Sequence, residues 1–105
     1  MEQQPARALS VLADARPSVD RSVLLGSAYS ASDDWSNAVT HLQSALDEGR
    51  TTADVLNGLG YARLKLGQHQ QAADLFRRSL QLNPGQPEIR KLLSGLRQES
   101  PRAAK

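Results

Sequence analysis

Shifted by 34 residues, this sequence falls onto itself. Leu25-Gly26 lands on Leu59-Gly60, Ala28 on Ala62, Ala38 on Ala72, Leu42 on Phe76 and Leu46 on Leu80. Residues 19–52 and 53–86 are therefore two copies of one unit, joined without an insertion. Such a period confines the chain to repeat architectures, because one short unit cannot bury its apolar face alone and must stack on a neighbour.

Each copy divides into two amphipathic helices, with turns near Ser32-Asp33-Asp34 and Gly67-Gln68. Asp33 or Asp34 is placed to accept from the free amides that open the next helix. Thr51, with Asp54 three residues on, makes a capping-box-like start for the third helix. Gly49 suits a left-handed helix end, and Pro87 suits a first helical turn, where its missing N–H costs nothing.

Glycine inside a helix costs about 1 kcal/mol relative to alanine. Gly26 and Gly60 nevertheless stand at matching places, accompanied by Ala28, Ala38, Ala62 and Ala72. That recurrence predicts close helix–helix approach, with Leu25, Leu42, Leu59, Leu75, Phe76 and Leu80 filling the space between. Tyr29 and Trp35 are expected in the same core. His69, which occupies the place of Trp35 in the second copy, is given a packing role.

The unit carries a Leu-Gly pair, a Tyr three residues after the Gly, a small residue twelve after it, then an aromatic or Leu, and a terminal Pro. In these features it resembles the tetratricopeptide repeat (TPR). The first copy supplies Leu25-Gly26, Tyr29, Ala38, Leu42 and Ala45; the second supplies Leu59-Gly60, Ala72, Phe76, Ser79 and Pro84. Arg63 departs from Tyr29, Arg50 from Pro84, and Ser79 from the usual Ala, which should loosen packing without breaking the period. The resemblance spans 68 of 105 residues. It implies an all-α, TPR-type helical-hairpin solenoid of about six helices.

Two repeats need neighbours, and the flanks are read as supplying them. Residues 1–18 hold an N-terminal helix, over 5–15, that resembles the second half of a preceding repeat and ends at Arg16-Pro17. In residues 87–99, Ile89, Leu92, Leu93 and Leu96 share one helical face while Arg90, Lys91, Ser94 and Arg97 share the other, the pattern of a capping helix. Residues 100–105 are expected to be a disordered tail.

The sequence offers few groups suited to catalysis or metal binding. With no Cys, thiolate metal sites, disulfides and thiol nucleophiles are excluded. His41 and His69 are the two histidines, and neither has a second ligand at metal spacing; His41 is placed on an exposed face. Gly58-Leu59-Gly60 lies within a helix and not after a strand, and the pairs Asp33-Asp34 and Asp47-Glu48 flank helix ends, where capping explains them. No enzymatic activity, metal or cofactor is expected. The basic doublets Arg77-Arg78 and Arg90-Lys91 are short and lack interleaved aromatics, so nucleic acid is not the expected partner. No stretch reaches the roughly 20 apolar residues of a membrane span, and the N-terminus is unlike a secretory signal, so the cytoplasm is the expected location.

A protein or peptide is the expected partner. The TPR resemblance implies a concave groove lined by the first helix of each repeat. Carried onto this chain, that groove takes Asp20, Val23, Ser27 and Ser30 from the first repeat. The second repeat adds Asp54, Asn57, Tyr61 and Lys65, and the closing helix adds Glu88 and Lys91. Asn57 is suited to bond a peptide backbone, and Tyr61 either anchors a partner or fills the space beside Arg63. Lys65 and Lys91 suit acidic groups. The TPR subclass that clamps acidic chaperone tails with Lys and Asn is not expected, since Val23, Ser27 and Gly58 stand at those places. Charge is uneven: residues 1–52 carry four basic against seven acidic residues, and residues 53–105 nine against four. An acidic partner would be drawn to the second half. Two other readings remain open from the sequence: self-association through the open N-terminal half-repeat, giving a homo-oligomer, and a regulatory appendage of a larger enzyme.

Overall fold

A computed structural model of the chain describes residues 18–99. The expected helix over 5–15 and the tail over 100–105 lie outside the described residues. Within them are five α-helices: α1 Val19–Ala31, α2 Trp35–Asp47, α3 Ala53–Lys65, α4 His69–Leu82 and α5 Pro87–Glu99. They form two helical hairpins, α1–α2 and α3–α4, followed by a closing helix.

The two hairpin turns are built alike. Asp33 and Gly67, 34 residues apart, both adopt positive φ, at 60° and 80°. The amide of Asp34 donates to the Tyr29 carbonyl (2.9 Å), as that of Gln68 donates to Arg63 (2.8 Å). Asp34 is the residue that caps α2: its Oδ1 accepts from the Asn37 amide at 3.4 Å and its Oδ2 from Asn37 Nδ2 at 2.8 Å. α4 opens at Gln68 without a side-chain cap. The Gln68 Oε1 instead accepts from Arg63 Nη1 at 2.7 Å.

One start lies a residue later than expected. Thr52, not Thr51, caps α3, its hydroxyl accepting from the Val55 amide at 3.2 Å. Gly49, at φ 100°, ends α2 in the left-handed region, and the Arg50 amide reaches back to the Ala45 carbonyl at 3.0 Å. Pro87 occupies the first position of α5.

Close approach at the repeated glycines is present in both hairpins. A Cβ on Gly26 would stand 2.5 Å from Leu42 Cγ, and one on Gly60 would stand 2.7 Å from Phe76 Cε1. Leu42, Leu56, Leu59 and Leu75 form one buried cluster joining α2, α3 and α4. Ala72, Ala73, Phe76, Leu93 and Leu96 form a second, with Ile89 and Leu92 packed against it, so α5 closes the stack with the face its spacing predicts. Fully burying a side chain such as Leu59 or Phe76 contributes roughly 1.5–3 kcal/mol.

Five expectations of the core need correcting. Trp35 and Tyr29 are only half-buried, and His69 is exposed. Each lies toward the end of a helix beside a hairpin turn, where none of the described helices covers it fully. His41 is half-buried and not exposed, stacked on Tyr29 at 5.3 Å between ring centroids. Ser79 does not loosen the packing; it is fully buried, and its hydroxyl accepts from Gln86 Nε2 at 3.0 Å.

Candidate interaction groove

The first helices of the two repeats, α1 and α3, border a crevice of about 230 Å³. Its sides are Val23, Ser27 and Ser30 from α1 and Asp54, Val55 and Gly58 from α3, with Leu42 of α2 contributing to the lining. The absence of a side chain at Gly58 keeps this space open: a Cβ there would lie 3.3 Å from Leu42 Cδ1. The interior is aliphatic and the rim carries hydroxyls and one carboxylate, a shape for a single apolar side chain.

Further along α3 stands an aromatic corner. Tyr61, 42% exposed, meets Trp35 edge to face, with ring centroids 5.9 Å apart and planes at 74°. Lys65 places its Nζ 5.3 Å from the Tyr61 centroid and 6.0 Å from that of Trp35. The ring faces attract the ammonium. Among the described residues the ion pairs are Arg50 with Asp20 and Arg77 with Asp74, and neither involves Lys65. Tyr61 therefore belongs to this corner and not to the space beside Arg63, whose guanidinium is bonded to Gln68 and to Gln43.

The remaining expected residues lie elsewhere. Asp20 is engaged with Arg50 at 2.5 Å, fastening the start of α1 to the segment after α2. Asn57 donates its Nδ2 to Gln86 Oε1 at 2.8 Å. Its Oδ1 is buried and accepts no hydrogen bond from the described residues. Glu88 and Lys91, with Leu92, border a separate hollow on α5. Trp35 was not legible in the sequence as a member of this corner, because aromatic side chains at helical spacing are usually core. The available signal was its counterpart, His69, a polar residue at a place that a core position would keep apolar.

Burial, and secondarily the Arg21 guanidinium, lowers the pKa of His41 below its ordinary value. Among the described residues, no three His, Asp or Glu side chains gather as a metal site would require, and no helix is long and apolar enough to cross a membrane.

Residues 23–87 match the family model of the tetratricopeptide repeat. The chain belongs to the tetratricopeptide repeat family. TPR hairpins are scaffolds for protein interaction, and the repeat stacking seen here is that of a TPR solenoid. Solved structures of MamA share the fold. MamA of MSR-1 is 20% identical with a TM-score of 0.84, over 98% of this chain and 59% of that one. MamA of AMB-1 is 23% identical with a TM-score of 0.84, over 99% of this chain and 61% of that one. A MamA point mutant gives 23% and 0.85, over 99% and 60%. This TPR chain thus spans about three fifths of the MamA chains it resembles. By sequence, it matches no curated protein.

Proposed function

We propose that this TPR module is an adaptor that binds an extended segment of another protein along the groove face of α3. The observation that carries this reading is Lys65, a cation held over two aromatic rings with no carboxylate partner among the described residues. Asp54, Gly58, Tyr61 and Lys65 follow one another at steps of four, three and four, so they form a single stripe on α3. At 1.5 Å per residue, Gly58 and Lys65 lie roughly 10 Å apart along the axis, a distance spanned by about three extended residues. The segment would place an aliphatic side chain in the crevice and a carboxylate at Lys65. The aromatic corner provides rigid contact area at low entropic cost.

Affinity capture from source-cell lysate, using wild type and the Tyr61→Ala/Lys65→Glu variant at equal helical content, tests the surface. Captured partners are then titrated against the fluorescence of Trp35, the single tryptophan of the chain. A partner held by wild type, lost by the variant and perturbing Trp35 supports the groove. Equal capture by both forms moves binding to another face and overturns the reading.

A further inference from the structure

Gly58 is a helical glycine that the packing of the helices does not require. A Cβ on Gly26 or Gly60 would stand 2.5 or 2.7 Å from a buried side chain. One on Gly58 would meet a single atom, Cδ1 of Leu42, at 3.3 Å. Inside a helix, alanine is otherwise the better residue. At the corresponding place in α5 stands Leu92, which packs against the cluster around Phe76. Glycine at 58 leaves the space between α1 and α3 open instead.

On the rim of that space, one turn before Gly58, lies the exposed carboxylate of Asp54. In the first repeat the corresponding acid, Asp20, is paired with Arg50. That pair cannot recur one period later, because Pro84 stands at the place of Arg50. The ion pairs among the described residues involve Asp20 and Asp74, so Asp54 has no cation there. The rim's other polar groups, the hydroxyls of Ser27 and Ser30, can accept hydrogen bonds. Below them the walls are Val23, Val55 and Leu42.

We propose that this crevice takes a basic side chain, lysine or arginine, from the partner's extended segment. Its aliphatic stem lies over the backbone at Gly58 between the two valines, and its cationic head reaches Asp54 and the hydroxyls. Long basic side chains suit such a place, since the stem is buried on apolar groups while the charge stays at the rim. Gly58 and Asp54 are one helical turn apart, roughly 6 Å along the axis, which the four-carbon stem of lysine bridges. With a carboxylate at Lys65, the groove then selects a segment carrying opposite charges about three residues apart. This inference rests on the groove reading and assigns the chemistry of one of its contacts.

Capped synthetic peptides Ala-X-Ala-Ala-Glu-Ala test it, with lysine, norleucine or glutamate as X. Binding to the full chain is read by NMR at the amides of Ser27 and Gly58 and at the Trp35 indole. Wild type should bind the lysine peptide about fivefold more tightly than the norleucine peptide, the scale of an exposed ion pair. The glutamate peptide should bind most weakly, and added salt should narrow these gaps. Asp54→Asn should bring lysine and norleucine level. Norleucine bound as tightly as lysine by wild type, or a lysine preference that survives Asp54→Asn, overturns the inference and leaves the groove standing. A lysine preference that persists in Gly58→Leu at wild-type helical content puts the cation outside the crevice, which also overturns it. Silence at Ser27, Gly58 and Trp35 with all three peptides removes the groove reading, and the inference with it.

Discussion

The side-chain amide of Gln86 donates to the main-chain carbonyl of Ser79 at 3.2 Å, doing in the second repeat what a backbone amide does in the first. After α2, the N–H of Arg50 serves the Ala45 carbonyl. Pro84 stands at the place of Arg50 and has no N–H to give. Gln86 supplies the missing donor, and also bonds the Ser79 hydroxyl and the Asn83 carbonyl while accepting from Asn57.

This makes Gln86 costlier to remove than Ser79. Gln86→Ala leaves the half-buried amide of Asn57 with neither of its polar atoms satisfied, and should destabilise the fold by about 1–3 kcal/mol. Ser79→Ala restores the small apolar residue of the first copy and leaves the Gln86 amide two carbonyl acceptors, so its cost should be about 0.5 kcal/mol. Urea unfolding of the two variants measures the difference; equal losses would contradict this account of the α4–α5 turn.

Gly60 is expected to reject even a methyl group. A Cβ at 2.7 Å from the Phe76 ring must displace a fully buried side chain, and overpacking of this kind costs about 1–3 kcal/mol. Alanine recovers about 1 kcal/mol of helix propensity, so Gly60→Ala should be net destabilising by up to about 2 kcal/mol. Gly95, where a Cβ would meet nothing within 4 Å, is the control: Gly95→Ala should stabilise α5 by up to about 1 kcal/mol. Thermal unfolding of both variants reads the opposite signs.

Stability should fall in mild acid through His41. Its folded pKa lies below the ordinary value of 6.5, so the folded state disfavours the proton relative to the unfolded chain. The neutral form's full contribution is present above pH 6.5 and is lost as pH falls from there through the lowered folded value. Unfolding free energies measured from pH 8 to pH 5 should show this decline, and His41→Gln should flatten it. An unchanged slope in the variant would place the acid sensitivity elsewhere.

The hairpins were legible because their determinants are local. Asp34, Gly49 and Pro87 act within one turn of their own positions, and the period carried the reading of one hairpin over to the other. The one-residue difference at Thr52 reflects how closely Thr51 and Thr52 compete for the same cap. Helical spacing assigns a residue to a face but does not say whether another element covers it, which is why Trp35, Tyr29 and His41 were misplaced. The groove residues were partly legible for the same reason: Tyr61 and Lys65 share a stripe, but their joint contact with Trp35 of α2 crosses between hairpins.

By itself, the sequence determined the repeat, the helices and the glycine-to-large-residue approaches, because each follows from periodicity, backbone freedom or side-chain size at positions a fixed distance apart. Only the tertiary structure decided that Asp20 is bound by Arg50, that Asn57 is tied to Gln86, and that Lys65 lies over two rings while the crevice at Gly58 stays open. Those outcomes depend on distances between side chains on different helices. Such distances arise when the hairpins stack and are not encoded in the spacing along any one helix.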